Sequence, residues 1–289
     1  MDIPSLNAFL AVAETGSFSL AAERLHLTQP AVSKRIATLE SQLDSQLFDR
    51  IGRQVSLSEP GRILLPKARE MLSLMKDTRQ EINNLRTQVK GSLSMATSHH
   101  IGLRKLPTIL KEYSRRYPQV RLDIHFVDSE AAYEMIHHGE IELGVITLSP
   151  EEREKFNAEL IWEDPLVFMA ANDHPLAGKK SITTKQLSKH QAILPGSNTF
   201  TYTLVKELFE QEGLELHTAM SSNYLETIRM LASIGLAWTI LPKSMLGDDL
   251  VELDTLCRPP VRMLGHITHR ERTLSNAAKA FLELLTEPQ

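Results

Sequence analysis

Between residues 59 and 89 apolar side chains recur at steps of mainly three and four: Leu65, Ala68, Leu72, Met75, Ile82, Leu85 and Val89. That spacing predicts one helix of about 28 residues with a single sticky seam. Ser58 can cap it ahead of Glu59-Pro60, Pro66 lies near its start, and Thr78 interrupts the seam. A head of some 60 residues cannot wrap a helix that long, so the seam needs a partner. The choices are the chain's own body and a second copy of the same helix, and the second copy is the expectation. The helix divides the 289-residue chain into a head, 1–58, a linker, 59–90, and a body, 91–289. Val89-Lys90-Gly91-Ser92 reads as a hinge.

In the head, Leu6, Phe9, Leu10 and Ala13 make an amphipathic stripe that Gly16 stops. Ser19 is the expected cap of a second short helix, with Ala22 and Leu25 inward, and Thr28 the cap of a third. In the third helix Val32, Ile36, Leu39 and Leu43 fall on one face. Pro30, Lys34, Ala37, Thr38 and Ser41 fall opposite, with Ser33 on the flank and Gln29 in the first turn. A surface helix ordinarily carries glutamates and lysines there. This face offers hydroxyls, one cation and little bulk, which suits entry into a DNA major groove. The segment from Arg50 to Leu57 reads as two short strands about Gly52, and Arg50, Arg53 and Arg62 are in reach of phosphates beside the helix. Together these make a winged helix-turn-helix.

Charge agrees weakly. The chain is net −4, yet residues 1–90 hold 12 Lys+Arg against 10 Asp+Glu, leaving 20 against 26 in the remainder. No apolar run approaches the roughly 18 residues of a membrane span. The N-terminus has an acidic Asp2 and no basic region of a signal peptide, and the single Cys257 allows no internal disulfide. A cytoplasmic protein is the expectation.

The stretch LNAFLAVAETGSFSLAAERLHLTQPAVSKRIATLESQLDSQLFDR, continued by GRQVSLSEPGR, closely resembles the N-terminal domain of LysR-type transcriptional regulators over about the first 65 residues. The resemblance implies a DNA-binding head, a linker helix that dimerises, and a two-lobed effector domain like that of periplasmic binding proteins. It carries DNA contacts onto Gln29, Pro30, Ser33, Lys34, Arg35 and the wing arginines Arg50 and Arg53. Ser58-Glu59-Pro60 stands where Thr-x-Ala is commoner in the family, and it keeps the hydroxyl cap.

From residue 93 the pattern alternates strand and helix. LSMAT, VRLDIHFV and ELGVIT read as strands, IGLRKLPTILKEYSRRYP as one helix ended by Pro118, and AAYEMIHHG as another. A second unit follows with LVFMAA, QAIL, the helix FTYTLVKELFEQEG, LHTAMSS, NYLETIRMLASIG and LAWTILP, before a strand near Met263–His269 and a closing helix near Asn276–Leu285. This predicts a mainly parallel α/β body with a cleft at the strand ends. Lobe 1 is expected at about 91–161 plus 268–289 and lobe 2 at about 162–267. DHPLA at 173–177 and LASIGLAWTILP resemble the family's effector domain more loosely.

Strand ends running into helix N-termini suit anions. In the family the effector is held by the first strand-to-helix turn and the matching turn of the second lobe. That carries over to Thr97, Ser98, His100 and Thr147 on one side and to Ser197, Thr199, Phe200 and Asn223 on the other, with a small anion as the expected ligand. His99-His100 and His137-His138 lack metal-site spacing, Cys257 beside Arg258 lacks a redox partner in the chain, and no catalytic motif is present. No cofactor or metal is expected. The expected function is a ligand-responsive regulator binding double-stranded operator DNA as a homo-dimer or tetramer, with RNA polymerase as a further candidate partner. A metabolite-binding protein with a vestigial head and an α/β enzyme with a regulatory head are the alternatives.

Overall fold

The computed structural model describes residues 1–51, 54–85, 88–151 and 154–287. They fall into two compact units, Met1–Arg86 and Thr87–Gln289. The first unit opens with α1 (Ile3–Thr15), whose Asp2 cap accepts the Ser5 amide at 2.8 Å and which ends at Gly16 with φ 61. An L side chain is strained at that φ, which is why glycine stands there. Next come α2 (Phe18–Arg24) and α3 (Gln29–Leu43). The cap of α2 is Ser17, not Ser19, because the helix begins one residue ahead of Ser19. Thr28 stands at the N-cap of α3 but its side chain makes no capping bond. Phe9, Val12, Val32, Ile36 and Leu39 are fully buried together. Each such side chain contributes roughly 1.5–3 kcal/mol by leaving water.

Strands β1 (Phe48–Ile51) and β2 (Gln54–Leu57) pair antiparallel as the wing. Helix α4 (Glu59–Asn84) follows, with the Ser58 hydroxyl accepting the Gly61 amide at 3.1 Å. It spans 26 residues and ends before the expected limit. Its early residues Leu64 and Ala68 are buried in the head core, whereas Leu74, Ile82 and Leu85 are 67%, 61% and 83% exposed. Val89 packs in the second unit instead of continuing the seam.

The second unit runs β3 (Gly91–Thr97), α5 (His99–Arg104), α6 (Pro107–Arg116), β4 (Val120–Phe126), α7 (Ser129–His137) and β5 (Leu143–Thr147). The expected single helix over 101–118 is two, because Pro107 lacks an amide hydrogen and opens a new helix. Then come β6 (Phe156–Ala171), α8 (Thr184–Leu187), β7 (Ala192–Leu194), α9 (Phe200–Glu210), β8 (Thr218–Ser221), α10 (Leu225–Ser233), β9 (Trp238–Pro242), β10 (Leu250–Glu252), β11 (Val261–His269) and α11 (Asn276–Thr286).

The strand order is β4-β3-β5-β11-β6-β9-β7-β8, with β10 on β6. Parallel pairs β3–β4 and β3–β5 form one end, and β7–β8 and β7–β9 the other. The long strands β6 and β11 join them and run antiparallel to their neighbours, so the body is a mixed sheet. LVFMAA is only the second half of β6. Along β6 the partner changes from β11 to β9 at Pro165-Leu166. Proline cannot donate to a ladder, so it fits a point where pairing passes from one neighbour to another. Among the described residues no helix is long and apolar enough to cross a membrane.

Candidate functional site

Two features stand out, one in each unit. On α3, Gln29, Pro30, Lys34, Ala37, Thr38 and Ser41 are exposed, and Ser33 and Arg35 half-buried. The Gln29 amide donates to the Ser33 hydroxyl at 3.0 Å, and Thr38 donates to the Lys34 carbonyl at 2.9 Å. Both hydroxyls therefore keep acceptor capacity toward solvent. The one carboxylate of α3, Glu40, turns away and accepts the Leu47 amide at 2.8 Å, which fixes the chain leading into the wing. Elsewhere in the unit Glu14 pairs with Arg24 at 2.6 Å and Arg69 at 3.3 Å. Lys34 makes no ion pair among the described residues, so its charge is available to a phosphate or a base edge. Arg50 lies on β1, while Arg53 falls outside the described residues.

The second feature is a cleft of about 50 Å³ where the first turns of α7, α9 and α10 meet the end of β3. Ser98, His100, Thr147, Thr199, Phe200 and Asn223 line it. Two expected members do not. Thr97 is fully buried, with its hydroxyl on the Ser98 carbonyl at 3.4 Å, and Ser197 is exposed on the loop outside. Thr97 shares the face of β3 that carries Leu93 and Met95 and is covered by α5 at Gly102, and α9 begins three residues beyond Ser197.

Residues that sequence reasoning missed complete the lining: His99, Asp128, Ser129, Glu130, Pro195, Thr201, Leu225 and Arg262. Asp128-Ser129-Glu130 follows a strand and opens a helix, the same local signal that singled out the other turns. Arg262 had no local signal, since β11 arrives from more than a hundred residues downstream of β5.

Hydrogen bonds tie the cleft walls. The Asn223 amide donates to Asp128 at 2.6 Å, and its oxygen accepts the Gly196 amide at 2.8 Å. The Phe200 amide donates to the Glu130 carboxylate at 2.6 Å, and the Thr147 amide donates to Ser129 at 3.1 Å. Thr199 accepts the Tyr202 amide at 3.2 Å and donates to the Gly196 carbonyl at 2.8 Å, so it acts as a helix cap. Arg262, 5% exposed, holds Asp164, 5% exposed, through Nε at 3.1 Å and through Nη2. His100 is 4% exposed and neither ring nitrogen has a partner. Burial first, and the nearby Arg262 charge second, pull its pKa down to about 4. At neutral pH it is an uncharged imidazole with one donor and one acceptor unspent. Among the described residues no group of three His, Cys, Asp or Glu side chains could hold a metal ion.

Comparison with known proteins places both units in one family. Residues 3–62 match the bacterial regulatory helix-turn-helix protein, lysR family, and residues 86–288 match the LysR substrate binding domain. A probable RuBisCO transcriptional regulator of Cyanophora paradoxa is 31% identical over 97% of this chain and 90% of its own length. A full-length OxyR variant from Pseudomonas aeruginosa superposes with TM-score 0.68 at 23% identity, covering 99% of this chain and 94% of that one. Full-length CbnR complexed with its target DNA gives TM-score 0.64 at 23% identity, covering 99% of each chain. A helix-turn-helix head and a ligand-binding body on one chain make a ligand-responsive DNA-binding transcriptional regulator, not an enzyme, and the chain belongs to the LysR family.

Proposed function

We propose that this regulator reads operator DNA with α3 in the major groove, Gln29, Pro30, Ser33, Lys34 and Arg35 forming the contact face. Arg50 and Arg53 of the wing lie on the flanking phosphates in this reading. The observation that carries it is the exposed α3 face, which presents Lys34 and hydroxyls with Glu40 turned away. A carboxylate there would face the phosphate backbone and oppose approach.

The reading divides the chain at 1–58 for DNA binding, 59–90 for the linker and 91–289 for effector binding, with lobes at about 91–161 plus 268–289 and 162–267. The exposed Leu74 and Ile82 on α4 and Leu85 at its C-cap support a homo-dimer, in which two recognition helices engage one site, and dimers of dimers extend it. Ser98, His100, Thr147, Thr199, Phe200 and Asn223 are the effector residues in this reading, and Thr97 and Ser197 support their turns. The protein works in the cytoplasm, and RNA polymerase is a candidate partner. The test is a footprint on affinity-selected fragments of the protein's own genome at about physiological salt, where non-specific binding is suppressed. Two protected half-sites spaced by about one helical turn or a multiple of it are expected. A folded dimer that enriches no site would overturn the reading.

A further inference from the structure

Within the cleft a carboxylate of one wall meets a helix start of the other. The first amide of α9, at Phe200, donates to the Glu130 carboxylate at 2.6 Å. A helix of 11 residues presents the positive end of its dipole there, so it favours an oxyanion over a neutral acceptor. Glu130 comes from α7, on the opposite wall, and is only half-buried. The same cavity is lined by His100, whose ring is 4% exposed with neither nitrogen partnered. A buried imidazole N–H left without an acceptor is rare and asks for a ligand that brings one.

Resting on the reading of this cleft as the effector site, we propose that the effector is a small oxyanion that displaces the Glu130 carboxylate from the Phe200 amide and accepts from His100. A cation fits less well. The Asp128 and Glu130 carboxylates that would attract it already accept from Asn223 and Phe200, and it would leave the His100 donor unmet. The cleft volume of about 50 Å³ limits the charged group to a few heavy atoms. Because Glu130 competes, the apparent affinity is reduced by the fraction of molecules in which it is bound. If it is bound nine-tenths of the time, freeing the site tightens binding about tenfold.

The test is calorimetric titration of the full-length protein with sodium acetate, nitrate and sulfate, with sodium chloride at matched ionic strength as the control and methylammonium chloride as the cationic probe. Wild type, Glu130→Gln, Glu130→Ala and His100→Phe are compared. Acetate alone binding identifies a carboxylate, and nitrate or sulfate binding an inorganic oxyanion. The expected result is an anion that both Glu130 variants bind about tenfold more tightly than wild type, with methylammonium bound by none. Unchanged or weaker anion binding in both variants overturns the exchange, as does methylammonium binding that Glu130→Gln abolishes, or no anion binding by any of the proteins. His100→Phe separates the two levels. Loss of anion binding in that folded variant keeps the cleft as the site even where the Glu130 exchange fails, whereas retained binding removes the cleft itself.

Discussion

Acidification from pH 7 to pH 5 withdraws stability from the second unit through His100. Its folded pKa is about 4 against an ordinary value of 6.5. The sign follows from which state takes the proton. Below 6.5 the unfolded chain binds a proton that the buried imidazole refuses, so stability is intact above about 6.5 and declines as the pH falls toward 4. At pH 5 the unfolded histidine is almost wholly protonated and the folded one about a tenth so, which amounts to roughly 2 kcal/mol. His174, His266 and His269 are also lowered, burial being the first cause in each, so wild type loses more than this. The His100 share is isolated by comparison with His100→Gln, which keeps a polar side chain but cannot titrate. The assay is urea unfolding followed by tryptophan fluorescence at both pH values. Both tryptophans, Trp162 and Trp238, lie in the second unit, so the signal reports on it alone. Wild type is expected to lose about 2 kcal/mol more than the variant between pH 7 and pH 5. Equal losses would refute the account of His100 as a neutral buried base.

Three further outcomes are expected. Lys34→Ala weakens operator binding across sequences and lowers the slope of log K against log salt by about 1, with the melting of the head unchanged; an unaltered slope in a filter-binding or anisotropy series places Lys34 off the DNA. The double change Ile82→Asp with Leu85→Asp, at positions 61% and 83% exposed in the last turn and C-cap of α4, shifts the protein to monomer in sedimentation at micromolar concentration, and a persistent dimer removes α4 from the interface. Gly61→Ala places a Cβ 2.1 Å from the Leu47 carbonyl oxygen and 2.9 Å from a Leu57 methyl. That overlap costs about 1–3 kcal/mol, seen as a lowered calorimetric transition of the first unit; an unmoved transition shows that the helix start tolerates bulk.

The local elements were legible because each is written in neighbouring residues. The stripes of α1 and α3 follow the helical period, Gly16 supplies the left-handed stop, and Ser58 caps α4 with its own hydroxyl. The turns at Ser98 and Thr199 showed themselves as strand ends meeting helix starts, and Thr147 as the end of a strand. Boundaries depended on finer competition: Pro107 divides a run whose apolar pattern reads as continuous, and Ser17 caps α2 where Ser19 was expected.

Tertiary structure alone decided the rest. No periodicity announces that β6 and β11 cross the whole body, because the pairing of Arg262 with Asp164 joins residues 98 apart. The Glu130 bond to Phe200 spans 70 residues, and Asn223 reaches Asp128 across 95. Such contacts depend on where whole elements pack, and packing is a sum over many weak apolar contacts that no short stretch encodes. Neighbouring residues alone specify a helix-turn-helix head, a long linker helix and a set of helix starts suited to anions. Only the folded chain decided that one of those starts is already held by a carboxylate from the opposite wall, and that His100 is left beside it with nothing to bond.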